Sequence, residues 1–331
     1  MNIGLDIGNG YVKAISGEAR LAFASAIGQW TPETNGSKVR IQPPNTSIVS
    51  VDGTMRIVGD YAARQSRVLL SNMNDQRWMQ PDVIRLLATT ALGLISKRTK
   101  KTSFNLVTGL PLTHFSAHAS KVGEILRGHY AATIDGSDVE FDVSIKRVGI
   151  GILRCTVGTW AETVKLEPSG DLVPYQKVGI VDVGTGTTDI TLVELMGDEP
   201  TINKDQSASF NDGWVTVTSR VNDFLREQGT NADHWQIDEA ITKYRCKMGM
   251  LDIEAAAQDG IKILADTVCQ DITKVWGNCA LIDHIFLCGG PANTLGSIIK
   301  AKLGLSQIQF MPEPFWTTAS GYLRMANYAP A

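Results

Sequence analysis

Two short segments of the chain repeat the same order of chemically capable residues. In each, a carboxylate ends an apolar run, and two glycines follow at matching positions. The first segment contains Asp6, Gly8, Asn9, Gly10 and Lys13, and the second contains Asp182, Gly184, Thr185, Gly186, Thr187 and Asp189. A glycine turn lets successive backbone N–H groups point into one concavity, where they bind phosphate oxygens. The repeat therefore predicts two phosphate-binding loops, the first with a lysine as an added cation.

The carboxylates of Asp6 and Asp182 are the candidate catalytic and metal-binding groups. Magnesium usually keeps several water ligands and takes few protein ligands beside substrate phosphates. Both carboxylates are therefore expected to orient the water shell of Mg2+, and one of them to position an attacking water. The structural alternative is that each aspartate only stabilises its own turn, which is ordinary for this residue type. That alternative does not explain why both halves carry the acid.

Two further segments are candidate binding sites. Gly289, Gly290 and Pro291 follow an apolar run, and glycines there would let a flat base or a ribose lie against the backbone. Asn211, Asp212 and Gly213 precede a predicted helix, whose first N–H groups are suited to an anion. An aspartate that caps the helix explains the same residues, so the sequence leaves both interpretations open.

The elements around these residues predict an α/β protein. Residues 2–16 are expected to form a hairpin that turns at Asn9-Gly10, a dipeptide that favours positive φ at both positions. A second hairpin strand is expected over 188–195, after the second loop. Helices are predicted over 81–97, 113–127, 149–162, 212–227, 237–249 and 254–279. Each half of the chain begins with several strands and continues with alternating helices and strands. This order favours two domains with mixed sheets, and the repeated segment suggests that one domain is a duplicate of the other.

Composition excludes several classes of function. The 331 residues are enough for two domains, and a charge of −3 gives no general attraction to nucleic acid or to an anionic membrane. No apolar run approaches the roughly 20 residues of a membrane helix, and a strand predicted from Asn2 leaves no room for a signal peptide. We therefore expect a cytoplasmic protein without direct nucleic-acid or membrane binding. The five scattered cysteines argue against a disulfide framework or a zinc site.

The order of the three motifs resembles the superfamily of actin, sugar kinases and DnaK-type chaperones. Within it, the chain looks most like the bacterial ParM/StbA plasmid-segregation actins and their archaeal actin-like relatives. The shared features are Lys13, the segment Thr108-Gly109-Leu110-Pro111, and an ending from Pro314 to Tyr322. The resemblance implies two ribonuclease-H-like (actin-fold) domains flanking a nucleotide cleft. The first would cover 1–165, with a C-terminal helix in 314–331 packing back on it, and the second 177–313.

The resemblance also implies a function. It is that of a nucleotide-dependent, filament-forming ATPase that serves plasmid or other DNA segregation. The cofactors would be ATP or GTP with Mg2+, and the partners would be further copies of the chain and an adaptor protein that links the filament to DNA. By this resemblance the two loops bind phosphates, Gly289, Gly290 and Pro291 bind the adenosine, and Asp212 and Gly213 form another nucleotide-facing turn.

One departure from the family keeps two alternatives open. Relatives carry a Gln or Glu that helps position the hydrolytic water, and the matching place here is Val148. Valine cannot orient water, so the rate of hydrolysis is less certain than nucleotide binding. The first alternative is a kinase for a small sugar or acid, which would need a general base in the cleft. The second is a scaffold that binds nucleotide without polymerising.

Overall fold

The computed structural model describes residues 1–30, 44–64, 68–70, 80–150, 176–196 and 199–328. The chain divides into two compact units, Met1–Cys155 with Thr318–Ala331 and Thr156–Thr317. The domain boundaries expected above, 1–165 with 314–331 and 177–313, stay a prediction. None of the helices in the described ranges is long and apolar enough to span a membrane.

The first unit is built on one mixed sheet. Its strands are β1 (Asn2–Ile7), β2 (Tyr11–Ile15), β3 (Arg20–Ala24), β4 (Ile27–Gln29), β5 (Thr46–Val51), β6 (Thr54–Gly59), β7 (Val68–Leu70), β8 (Ser103–Leu110), β9 (Gly128–Ile134) and β10 (Ser137–Ile150). They are arranged in the order β3-β2-β1-β8-β10-β9-β5-β6-β4-β7. Strand β8 runs parallel to both β1 and β10, and the other pairs are antiparallel.

The second unit has a smaller mixed sheet and a short hairpin. The strands are β11 (Gln176–Val183), β12 (Thr188–Met196), β13 (Glu199–Phe210), β14 (Lys247–Met248), β15 (Leu251–Asp252), β16 (His284–Cys288) and β17 (Ile308–Phe310). The sheet order is β13-β12-β11-β16-β17, and β14 pairs only with β15. Strands β11, β16 and β17 are parallel to one another, whereas β12 and β13 join them as antiparallel hairpin strands.

Eight α-helices lie in the described ranges. They are α1 (Asp60–Arg64), α2 (Pro81–Thr99), α3 (Leu112–Leu126), α4 (Trp214–Glu227), α5 (His234–Thr242), α6 (Glu254–Trp276), α7 (Ala292–Leu303) and α8 (Thr317–Tyr328). Helix α2 begins at a proline, whose fixed φ suits the first helical position. Its buried Ile84 and Leu87 share one core with Ile3 and Leu5 of β1. Each such side chain contributes about 1.5–3 kcal/mol on burial, so this core holds β1 and its terminal loop in place.

Helix α8 packs on the first unit through two of the segments that suggested the family. The Tyr322 hydroxyl lies where a side chain on Gly109 would be, 2.1 Å from the position of a Cβ atom there. Tyr322, Met325 and Ala326 form a buried cluster with Val107 of β8. The glycine in Thr108-Gly109-Leu110-Pro111 is therefore explained by the close approach of the C-terminal helix.

Two predicted helices are wrong in part. Helix α5 ends at Thr242 rather than 249, because Arg245 and Cys246 have φ of 50° and 58°, which a right-handed helix cannot accommodate. Residues 247–248 instead pair with 251–252. The helix predicted over 149–162 does not begin at Gly149, because β10 continues to Ile150 through parallel pairing with β8. The rest of that helix, 151–162, lies outside the described residues.

Candidate functional site

The first loop is the tight turn between β1 and β2. The Gly8 N–H donates to the Tyr11 carbonyl at 3.0 Å, which closes the turn. Ser25 holds the outer side, since its N–H donates to the Gly10 carbonyl at 2.8 Å and its hydroxyl donates to the Gly8 carbonyl at 2.6 Å. The hairpin is confirmed, but neither Asn9 nor Gly10 has the positive φ that the dipeptide predicts. Hydrogen bonds from Ser25 fix this turn more strongly than the local preference of the dipeptide.

Asp6 and Lys13 lie directly opposite each other on β1 and β2. Lys13 Nζ is 2.7 Å from Asp6 Oδ2, and their side chains are only 13% and 16% exposed. Sequence reasoning assigned Lys13 to phosphate and Asp6 to a hydrated metal, without pairing them. The structure brings them together, so a phosphate or a metal ion at this loop would compete with an existing ion pair.

The second loop, between β11 and β12, repeats the closing hydrogen bond of the first. The Gly184 N–H donates to the Thr187 carbonyl at 2.8 Å. The outer side of this loop is held by helix α4, whose first two N–H groups, of Trp214 and Val215, donate to the Gly184 and Thr185 carbonyls at 3.1 and 2.9 Å. In both loops, therefore, backbone carbonyls accept hydrogen bonds from neighbouring backbone N–H groups or from a side chain.

The turn before α4 packs directly on the second loop. A Cβ atom on Gly213 would lie 2.6 Å from the Thr185 carbonyl oxygen, and the Thr188 hydroxyl donates to the Asp212 carbonyl at 2.6 Å. Gly213 is the N-cap of α4, so the interpretation of Asp212 as the capping residue is wrong. The first N–H groups of α4 donate to loop carbonyls, so they position the loop instead of forming a separate anion site. That Asp212 and Gly213 contact nucleotide stays a prediction.

Four residues form a row across the sheet of the second unit, at the level of the loop. Cys288, Asp182, Asp189 and Ser209 are opposite one another on β16, β11, β12 and β13. Gly289 follows Cys288 with φ of 90°, and a Cβ atom there would lie 2.5 Å from Asp182 Oδ1. The third predicted motif therefore lies against the predicted catalytic acid. Of its other members, Gly290 is exposed and Pro291 caps α7.

Asp189 has the largest pKa shift among the titratable groups near this loop. Burial raises the pKa of Asp189 to about 7, although a hydrogen bond from the Ser209 hydroxyl opposes this, and the negative charge of Asp182 adds to the rise. Sequence analysis identified Asp189 as part of the second loop but did not identify Ser209. That residue lies on another strand, and only the pairing register of β12 and β13 places it there.

A second perturbed acid, Asp271 of α6, was also not predicted. Its side chain is buried, and within the described ranges Oδ2 has no hydrogen-bond partner. Burial raises the pKa of Asp271 to about 6, the charge of Asp212 raises it, and that of Lys274 lowers it. In the sequence, Asp271 could have been recognised as an acidic residue on the apolar face of a predicted helix.

The donor groups suit a water-rich magnesium ion. Among the described residues, no group of three His, Cys, Asp or Glu side chains could hold a metal ion by itself. Each loop, taken by itself, has one carboxylate next to the last residue of its strand, and a single carboxylate suits a cation that takes most of its ligands from water and phosphate. Val148 lies in β10 opposite Thr108, packed against the core of the first unit. Its apolar side chain offers no group that could orient a water molecule.

The raised pKa of Asp189 predicts how stability depends on pH. Between about pH 4, where the unfolded carboxyl ionises, and about pH 7, the folded state retains a proton that the unfolded state has lost. Stability attributed to this group is therefore greatest below pH 4 and is lost as pH rises towards 7. Asp189→Asn should remove this loss, so its free energy of unfolding should rise relative to wild type between pH 4.5 and 7.5.

Urea unfolding across that pH range measures the effect. The matched control is Glu140→Gln, which neutralises an exposed acid on β10. A difference between Asp189→Asn and wild type that stays constant with pH would contradict the assignment.

Comparisons with known proteins identify actin-like families in both halves of the chain. The family described as the N-terminal domain of actin like proteins matches residues 4–151, and the C-terminal family of the archaeal actin homologue MreB-like proteins matches residues 180–301. A comparison with curated proteins finds no significant match.

Solved structures with the same fold match almost end to end. A 15-stranded ParM filament from Clostridium botulinum is 20% identical, with a TM-score of 0.80 over 98% of both chains. Ta0583, an archaeal actin homolog in complex with ADP, is 20% identical, with a TM-score of 0.74 over 99% of both chains. The Alp12 filament structure is 17% identical, with a TM-score of 0.63 over 98% of both chains. The chain therefore has the two-domain architecture of actin and belongs to the actin-like proteins.

Proposed function

We propose that this protein binds and hydrolyses a nucleoside triphosphate, and that it assembles into filaments while the triphosphate is bound. The observation that carries the proposal is the duplicated loop. Both loops are closed by the same hydrogen bond, Gly8 to Tyr11 at 3.0 Å and Gly184 to Thr187 at 2.8 Å, and both follow a strand whose second-to-last residue is an aspartate, Asp6 or Asp182. The ADP complex of an archaeal actin homolog and the filaments of ParM and Alp12 support it.

The proposed roles follow from the positions of the side chains. The two loops bind phosphates through backbone N–H groups, and Lys13 leaves Asp6 to contact a phosphate oxygen. Gly289, Gly290 and Pro291 bind the nucleoside, together with Asp212 and Gly213. Asp6 and Asp182 hold Mg2+ through its water ligands, and Asp182 orients the attacking water. When bound, Mg2+ would supply positive charge that offsets the charge on the phosphates.

The proposed cellular role is plasmid or other DNA segregation in the cytoplasm, with ATP as the first candidate nucleotide and GTP as the other. An adaptor protein would connect the filament to DNA, because the net charge of −3 offers no direct attraction to nucleic acid. Nucleotide controls assembly in this proposal by binding more tightly to the conformation that polymerises.

Sedimentation and phosphate release test the proposal together. The purified protein is centrifuged without nucleotide and with ADP, ATP, GTP or a non-hydrolysable ATP analogue, while released phosphate is measured. Pelleting that requires triphosphate and reverses on hydrolysis is the expected result. Phosphate transfer only when a sugar or acid is supplied would identify a small-molecule kinase, and nucleotide binding without pelleting at any concentration would identify a scaffold. Either result would overturn the proposal.

A further inference from the structure

Trp214, the first residue of helix α4, contacts three different parts of the second unit. Its backbone N–H donates to the Gly184 carbonyl of the second loop at 3.1 Å. Its ring is only 6% exposed and shares a core with Val181 and Val183 of β11, the strand that leads into that loop. Its indole Nε1–H donates to Asp238 Oδ1 of helix α5 at 2.7 Å. One residue therefore connects the loop, the sheet core and α5.

Two hydrogen bonds attach α5 to the first turns of α4. Besides the bond between Trp214 and Asp238, a second bond joins Thr218 Oγ1 and His234 Nδ1, which lie 2.6 Å apart. Trp214 and Thr218 are four residues apart on α4, so they lie on one face of that helix. His234 and Asp238 have the same spacing on α5. Two bonds at this spacing define where α5 lies along α4.

Both hydrogen bonds belong to a contact that is otherwise apolar. Thr218 is buried, and burial lowers the pKa of His234 to about 4, so its ring is neutral at neutral pH. Apolar packing tolerates small shifts, whereas a buried polar group that loses its partner destabilises the structure. The two bonds therefore select one position of α5 among those that apolar packing alone allows. The buried apolar residues that α4 and α5 share in one cluster are Val221, Leu225, Ile237 and Ala240.

The start of α5 is fixed by its own hydrogen bonds. The Gln236 N–H donates to the Asp233 side chain at 3.0 Å, and the Asp233 N–H donates to the Gln236 side chain at 3.1 Å. This capping box satisfies two N–H groups, one of which a helix start leaves without a partner in the helix. Asp238 therefore presents its carboxylate to the Trp214 indole from a helix with a well-defined first turn.

The first turn of α4 in turn defines the position of the second loop. The Trp214 and Val215 N–H groups donate to the Gly184 and Thr185 carbonyls, and Gly213 has no room for a side chain against Thr185. Because backbone meets backbone here, a shift of α4 moves the loop with it. Groups that bind a ligand must be held within about 0.5 Å of the productive geometry, so even a small shift of the loop would weaken phosphate binding.

We infer that Trp214 and Asp238 are positioning residues for the second phosphate loop. This inference rests on the proposed function, and it adds to the nucleotide site a helix, α5, that carries none of the motif residues. The indole–carboxylate hydrogen bond holds the first turn of α4, and that turn holds the loop carbonyls. A hydrogen bond to a carboxylate is roughly twice as strong as one between neutral groups, which suits this role. Neither side chain needs to touch the nucleotide.

Four variants test the inference. Asp238→Leu removes the acceptor, and Trp214→Phe removes the indole donor but keeps an aromatic ring in the core. Asp238→Asn removes the charge but keeps a side-chain oxygen that can accept the bond. Trp276→Phe is the matched control, because Trp276 is 7% exposed and its indole N–H donates to the Gln206 carbonyl at 2.9 Å. Its ring lies against Gly179, five residues before the loop, so the control loses an indole hydrogen bond away from the loop.

Amide hydrogen exchange without nucleotide reports on the contact between α4 and the loop. The Val215 N–H, which donates to the Thr185 carbonyl, should exchange about tenfold faster in Asp238→Leu and in Trp214→Phe, as expected when a hydrogen bond to a charged group is lost. Asp238→Asn and Trp276→Phe should keep the wild-type rate at this amide, even if urea unfolding shows that Trp276→Phe is less stable. A wild-type rate in Asp238→Leu, or an equal increase in Trp276→Phe, would overturn the inference.

Affinity for ADP with Mg2+ distinguishes this inference from the proposed function. The dissociation constant should rise about tenfold in Asp238→Leu and Trp214→Phe, as for the loss of other hydrogen bonds that orient binding groups, and should stay near wild type in Asp238→Asn and Trp276→Phe. If wild type binds ADP and all four variants bind it equally well, the inference is overturned and the proposed function stands. A wild-type protein that binds no nucleotide would overturn the proposed function, and the exchange rate of Val215 would still support or overturn the attachment of the loop to α5.

Discussion

Asp182→Asn should slow triphosphate hydrolysis by about 10- to 100-fold while the protein remains folded, which is the usual cost of removing a group that orients a metal-bound ligand. Asparagine keeps the shape of the side chain at the end of β11 but removes the charge proposed to orient the water shell of Mg2+. Phosphate release at saturating nucleotide measures the rate, and a binding titration with the non-hydrolysable analogue measures affinity. We expect the rate to fall much more than the affinity.

The same variant has a second readout that does not depend on hydrolysis. Because the negative charge of Asp182 contributes to the raised pKa of Asp189, its removal should lower that pKa and shift the pH dependence of unfolding to lower pH. Asp205→Asn is the matched control, since Asp205 is an exposed acid of the same sheet. Normal hydrolysis by Asp182→Asn would show that this carboxylate does not take part in the reaction.

The parts of the site that sequence predicts well are those defined by local pattern. Asp182, Gly184 and Gly186 lie within a few residues, and a strand followed by a glycine turn can be identified from those residues alone. The order of the three motifs also resembles that of the actin superfamily, and the actin-like fold is expected from that resemblance. The fold and the two loops are therefore predictable from the amino-acid sequence alone.

The parts that sequence does not predict depend on tertiary neighbours. Ser25 and the N–H groups of α4 hold the two loops from outside, and Ser209 reaches Asp189 only through the register of β12 and β13. The ion pair of Lys13 with Asp6 needs that cross-strand register as well. The end of α5 was mispredicted because apolar residues continue beyond Thr242, although the backbone turns at Arg245. Ser25 and Ser209 act through contacts distant in sequence, whereas the end of α5 is set by the local turn at Arg245 and Cys246.

Gly289→Ala should be the most destabilising single substitution near the second loop. A Cβ atom at this position would lie 2.0 Å from the Val183 carbonyl oxygen and 2.5 Å from Asp182 Oδ1, far inside contact distance, and the φ of 90° is itself unfavourable for alanine. The obstacles are backbone and a carboxylate at a strand end, so β11 or the Gly289 segment must move. We expect a loss of about 2 kcal/mol or more in the free energy of unfolding.

Gly290→Ala provides a control one residue away. A Cβ atom on Gly290 would find its nearest neighbour, Phe315 Cδ2, at 3.6 Å, which is ordinary contact, and its φ is not positive. Urea unfolding without nucleotide should therefore show a large shift of the midpoint for Gly289→Ala and little for Gly290→Ala. Equal midpoints would mean that Gly289 does not pack against Asp182 as described. Because the displaced groups include Asp182, Gly289→Ala should also hydrolyse the triphosphate slowly at temperatures where the variant is still folded. Gly289 of the third motif would then affect the proposed catalytic acid through direct packing, whereas Gly290 makes no such contact.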